Sequence, residues 1–160
     1  MQMRNDENPG PTGAAILPAP GPPNGDATMI RHALAVAGYL WAFPNTLLGL
    51  AFLFPALLTG GGVRIERGAI EIYGGFARFF LRRCLFIQAS ALTLGHVIVG
   101  QDRDCLDHSR DHEHVHVRQY ARWGPIMLPA YFVSSYLAWR RGGHFYFDNR
   151  FEREAYGTTS

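Results

Sequence analysis

From Ala33 to Thr59 the chain carries no charged residue, and nothing else in the sequence restricts the fold as strongly. The run Ala33-Leu34-Ala35-Val36-Ala37-Gly38-Tyr39-Leu40-Trp41-Ala42-Phe43 leads through Pro44-Asn45-Thr46 into a second apolar stretch ending at Leu58. This exceeds the roughly 20 residues that cross a bilayer as one helix. Every face of such a helix is apolar, whereas a helix at the surface of a soluble core keeps a polar face. A membrane segment is therefore expected at residues 29–60, bracketed by Arg31 and Arg64. Two geometries satisfy the pattern: one tilted span kinked at Pro44, or a hairpin that reverses at Pro44-Asn45. Basic residues downstream (Arg64, Arg67, Arg78, Arg82, Arg83) outnumber the single Arg31 just upstream, which places the C-terminal part on the cytoplasmic side.

On either side of this segment the composition changes. Residues 1–28 hold Pro9, Pro11, Pro18, Pro20, Pro22 and Pro23 without apolar periodicity, so a disordered tail is expected. It lacks the basic start and apolar core of a signal peptide. After the break Gly60-Gly61-Gly62, the alternations Val63/Ile65 and Ile70/Ile72 flank Arg67-Gly68 and predict a β-hairpin. Phe76 to Phe86 has helical character, and its Arg78, Arg82 and Arg83 suit a membrane-surface anchor. Leu92 to Val99 is rich in β-branched residues and predicts one strand ended by Gly100. A helix over about 107–123 stops at Gly124-Pro125. The apolar residues 125–139 are short for a span and lie between Trp123 and Trp139, as for a helix that dips into the bilayer or packs on the first apolar segment. The expected fold is α+β: a mostly helical, membrane-associated domain at 61–160 with a small antiparallel sheet. The net charge of +2, with no arginine stripe interleaved with aromatics, argues against nucleic acid as a partner. Cys84 and Cys105 form no disulfide framework and no C-x-x-C pair, and are expected as free thiols.

Within the 107–123 helix, Asp111-His112-Glu113-His114-Val115-His116 contains the pattern H-E-x-x-H. Residues at i and i+4 share a helix face, so His112 and His116 can hold one metal ion from adjacent turns, and zinc suits these donors. Glu113 then lies beside the ion, where a general base belongs. The pattern supplies two ligands and a base but lacks a third ligand. His114 falls on the opposite face, while Gln119 and Tyr120 lie nearer the motif face. His96, on the preceding strand, is expected to be a packed or capping histidine. Downstream, Asp148-Asn149-Arg150-Phe151-Glu152-Arg153-Glu154-Ala155-Tyr156 offers two carboxylates on one helix.

Here the sequence resembles the gluzincin class of zinc metallopeptidases, in which a glutamate on a later helix completes a His-His-Glu site. The Glu-x-x-Ala-Asp-like context of that third ligand matches Glu152 as the ligand, with Tyr156 standing where the family often has Asp. The stretch Ala91-Leu92-Thr93-Leu94-Gly95-His96-Val97-Ile98-Val99-Gly100, followed by His112-Glu113-His114-Val115-His116-Val117-Arg118-Gln119, is similar to the metallopeptidase-like core domain associated with extracellular contractile injection systems. Bacterial membrane proteins of unassigned function are similar over most of residues 39 to 156. The resemblance implies a bacterial inner-membrane protein that holds zinc on His112, His116 and Glu152. It further implies that Glu113 activates water and that a peptide or protein is the substrate, with the lipid bilayer as the other partner. Tyr146, His144 and Tyr156 are candidates for stabilising a tetrahedral intermediate. The alternatives are a catalytically inactive relative with a binding or structural role, favoured by the missing Asp, and a metal-handling protein that uses His108, His112, His114 and His116.

Overall fold

The computed structural model describes residues 25–85 and 89–159. The tail expected at 1–28 lies outside them up to residue 24, and its last residues are instead the first turn of helix α1 (Gly25–Leu50). With 26 residues, α1 is about 39 Å long. It continues unbroken through Pro44, so the reversal considered at Pro44-Asn45 does not occur. The chain turns only at Ala51-Phe52, before the short helix α2 (Leu53–Leu58). Together, Ala27–Leu58 is the one stretch among the described residues that is long and apolar enough to cross a membrane, with mean hydropathy 1.5 over an 18-residue window.

The two halves of α1 differ in cover. Met29, Ile30, Leu34 and Val36 are exposed. Ala42 and Asn45 are buried, and the Asn45 amide donates to the Gly124 carbonyl at 2.7 Å. The second half of the helix is thus part of the domain, fastened to the end of the motif helix.

Strands β1 (Gly62–Glu66) and β2 (Ala69–Tyr73) form the expected hairpin. Its two central residues, Arg67 and Gly68, both have positive φ (47° and 82°), the twist that joins antiparallel strands through two residues. The single strand expected over Leu92–Val99 is two strands, β3 (Ala91–Leu94) and β4 (Val97–Gly100). They are folded back at Gly95-His96, where Gly95 takes φ 65°. A side chain at Gly95 would also meet the Thr46 backbone nitrogen of α1 at 2.5 Å, so glycine is required there twice over. This turn makes the sheet mixed rather than antiparallel throughout. The order is β1-β2-β4-β3, with β2 and β4 parallel and joined through α3 (Gly75–Arg83) and β3. The α+β class is as expected.

β4 is buried along its whole length. Ile72, Leu81, Val97 and Val99 form the core on one side of the sheet with Ala56 of α2. Ile98 and Leu106 close the other side under α4 (Arg103–Trp123). The start of α4 is fixed by Asp102, whose carboxylate accepts from the Cys105 N–H at 2.9 Å, a standard N-cap. Its middle is fixed by Glu71 of β2, which is fully buried between Arg64 (2.5 Å) and Arg110 (3.1 Å). The Arg78 and Arg82 side chains bind the Gln101 carbonyl and side chain at 3.0 and 2.7 Å, so two of the three arginines expected as a surface anchor join α3 to the turn before α4. A 3-10 turn (Gly124–Ile126) leads into α5 (Met127–Arg140), and α6 (Arg150–Thr159) packs back across α4. Cys84 and Cys105 are free thiols.

Candidate metal centre

The motif helix presents His112 and His116 from adjacent turns, and α6 brings Glu152 to them. His112 Nε2 lies 3.2 Å from Glu152 Oε2, His116 Nε2 lies 3.4 Å from Glu152 Oε1, and the two Nε2 atoms are 3.1 Å apart. Four ligands arranged tetrahedrally about zinc at about 2.0–2.1 Å stand about 3.3 Å from one another. The two imidazole nitrogens have about that spacing and each lies near one oxygen of Glu152, so that one atom from each of the three side chains falls within 4.8 Å of the others. Glu152 Oε2 is buried with no hydrogen-bond partner, which leaves a carboxylate oxygen free to ligate. Among the described residues this is the one such group of His, Cys, Asp and Glu. Its donors, two imidazoles and a carboxylate, suit zinc and leave the fourth position open.

The groups around the triad fix its orientation. Gln119, a turn beyond His116, is fully buried. Its amide nitrogen donates to the Phe151 carbonyl at 3.0 Å and to Glu154 at 3.2 Å, so its oxygen faces His116 Nδ1 at 2.8 Å. That arrangement places a proton on Nδ1 and points Nε2 toward Glu152. Tyr131 of α5 donates its hydroxyl to Glu152 Oε1 at 2.7 Å. Glu113 lies beside the triad, only 5 % exposed, and accepts from the Thr93 hydroxyl of β3 at 2.6 Å.

Charge follows burial here. Burial raises the Glu113 carboxyl above its ordinary range, although His116, Thr93 and His112 oppose the shift. For His116, burial works against the charged form, yet hydrogen bonding and attraction from Glu152 and Glu113 lift it above the usual imidazole value. Burial would also raise Glu152, but the adjacent His112 and His116 ring nitrogens and the Tyr131 hydroxyl hold it well below the usual carboxylate range. An ionised carboxylate thus sits next to a carboxyl whose charged form burial disfavours.

The other candidates separate cleanly. His114 is buried away from the triad, its charge disfavoured by burial and by Arg67, Arg118 and Arg110. His108 is exposed. The cluster of four histidines does not assemble: His114, two residues from His112 and from His116, points to another face, and His108, although a turn before His112, is not one of the converging ligands. His96 is buried and stacks on Tyr39 at 3.9 Å, a packing role as expected. The Tyr156 ring lies against His112 at 4.6 Å. His144 Nδ1 accepts from the N–H groups of Tyr146 and Phe147 and so builds the turn before α6. Glu154 turns to Gln119 and Arg122. Sequence reasoning missed Thr93 and Tyr131. Thr93 stood in the Ala91–Gly100 stretch, two residues before Gly95, but no spacing rule ties it to Glu113. Tyr131 lay inside a stretch read only as apolar.

Two cavities open on the triad. The inner one, ≈ 300 Å³, lies under α5 and reaches Glu113, His116 and Glu152. The outer one, ≈ 810 Å³, runs along Ala89, Ser90 and Ala91 and is lined by His108, Asp111 and His112. β3 is the last strand of the sheet, and no described strand pairs with its outer side. The Ser90 carbonyl bonds inward to Gln101 at 3.0 Å, so by alternation Ala91 and Thr93 direct their backbone groups to that open edge.

Fold and site together define a mostly helical α+β domain that carries a bis-histidine carboxylate cluster beside a buried glutamate. Compared with protein-family models, curated proteins and solved structures, the chain matches none.

Proposed function

We propose that the protein is a membrane-associated zinc hydrolase of peptide bonds, with His112, His116 and Glu152 as metal ligands and Glu113 as general base. The observation that carries this reading is the convergence of His112, His116 and Glu152, whose ligating atoms, one from each residue, lie within 4.8 Å of one another next to a carboxyl kept out of water. Zinc in that set would supply a Lewis acid and lower the pKa of water to about 7. Thr93 holds one oxygen of Glu113, which leaves the other to take the proton of the attacking water and pass it to the leaving amine. The open edge of β3 suits an extended chain, whose backbone groups would pair with those of Ala91 and Thr93. The exposed apolar half of α1 and the exposed Phe132, Val133, Tyr136 and Trp139 of α5 suit a bilayer, with the site at its surface. The excess of basic residues after α1 favours the cytoplasmic face of a bacterial inner membrane.

A second reading keeps the metal without turnover. It is favoured by His112 Nδ1, buried with no partner, since ligand imidazoles are normally held at that nitrogen. Glu113→Gln decides between the two. The substitution preserves shape and removes the base, so the hydrolase reading expects full metal content with peptide hydrolysis lowered at least ~100-fold. Unchanged hydrolysis in this variant would rule out Glu113 as the base.

A further inference from the structure

The two cavities share Ala89, Ala91, Glu113, Phe145 and Tyr146 but differ in chemistry. The inner one is walled by Leu92, Met127, Leu128 and Phe132, and its polar end is Glu113, His116 and Glu152 with their partners Thr93 and Tyr131. At ≈ 300 Å³ it stands at the small end of ligand pockets (~300–1,000 Å³), room for one large apolar side chain. Phe132 and Phe145 form its rim and are 66 % and 40 % exposed. Phe132 belongs to the same exposed apolar surface of α5 as Val133 and Tyr136. The outer cleft is lined instead by His108, Ser109, Asp111 and His144. A chain crossing Glu113 therefore has an apolar wall on one side and ionisable groups on the other.

We infer that the site takes polypeptide at a boundary, where an apolar stretch gives way to a polar one. A large apolar side chain enters the pocket under α5, and the polar continuation lies along the outer cleft. Such a boundary occurs where a membrane-embedded segment leaves the lipid, and the exposed surface of α5 leads from lipid to pocket. Leu92 and Phe132 set the preference for the apolar residue. This inference rests on the metal site proposed above, and the test separates the two.

The full chain is placed in lipid nanodiscs, loaded with cobalt(II), and titrated with acetohydroxamate and with 3-phenylpropionohydroxamate. Free ligand is fixed by equilibrium dialysis, and the cobalt absorption band is the readout. Both ligands offer the same chelating group, so their ratio reports the side-chain pocket alone. The larger ligand should act at a concentration at least ~10-fold lower, because it buries a ring that the smaller one lacks. Leu92→Ala and Phe132→Ala should bring the ratio below ~3-fold with cobalt content unchanged; Phe132 is exposed enough that its loss should not disturb folding. If cobalt binds and the two ligands act within ~3-fold of each other, or if neither substitution moves the ratio, the apolar pocket is not a subsite and the metal reading stands. If cobalt does not bind, the metal reading fails and the subsite fails with it.

Discussion

At the scale of single residues, the site depends on groups one layer behind the triad. Gln119 is the clearest. It occupies the role usually given to a carboxylate, holding His116 Nδ1 at 2.8 Å while its own amide is pinned by Phe151 and Glu154. Replacing it with Leu removes that hydrogen bond and keeps most of the volume. Zinc affinity, measured by competition with a chromophoric chelator, should fall about 10- to 100-fold, with little change in circular dichroism. An unchanged affinity would mean that His116 is oriented by packing alone. Tyr156, which stands where the resemblance led to the expectation of Asp, packs its ring on His112.

At the scale of elements, the contact between α1 and the β3–β4 turn joins the apolar helix to the site. Thr46 receives the His96 N–H at 3.1 Å, the His96 ring stacks on Tyr39 at 3.9 Å, and the Tyr39 hydroxyl reaches the Gly68 carbonyl at 3.0 Å. Burial lowers the pKa of His96. A histidine depressed in the folded state stabilises the fold above its unfolded pKa of about 6.5, and that stability is lost as pH falls through the lower folded value. His96→Phe keeps a ring against Tyr39 and removes the titration. Between pH 7.5 and 5.5 the native protein should lose up to about 1 kcal/mol relative to this variant, read by denaturant unfolding. Parallel curves would show that the contact is not sensitive to protonation. The same turn marks the limit of what the sequence disclosed. Helix α4, its stop at Gly124 and the β1–β2 hairpin were legible because periodicity and turn residues agree there. Gly95-His96 was hidden between β-branched residues that continue the strand pattern on both sides, so one strand was expected where two exist, and with it an antiparallel sheet. The pairing of β2 with β4 is non-local and leaves no local trace. His112, His116 and Glu113 were legible from helix geometry alone. Glu152 needed the family resemblance to be preferred over Glu154, a choice that the packing of α6 makes by turning only one of them inward.

At the scale of the whole molecule, an apolar helix is joined to a candidate metal site. The half of α1 that covers no domain surface, with Met29, Ile30, Leu34 and Val36 exposed, is expected to hold the protein in the membrane fraction through an alkaline carbonate wash. Leu34→Arg with Val36→Arg should release it, because each charge inside the span costs up to about 2.5–3.5 kcal/mol, the value at its centre. Retention of the double variant would show that α1 does not insert. The central claim is the metal site, and the direct measurement is the metal content of the detergent-purified protein beside Glu152→Ala and His116→Ala. The account predicts one zinc per chain in the native protein and loss of it in both variants. A native protein without stoichiometric metal, or one that keeps its zinc after Glu152→Ala, would contradict it.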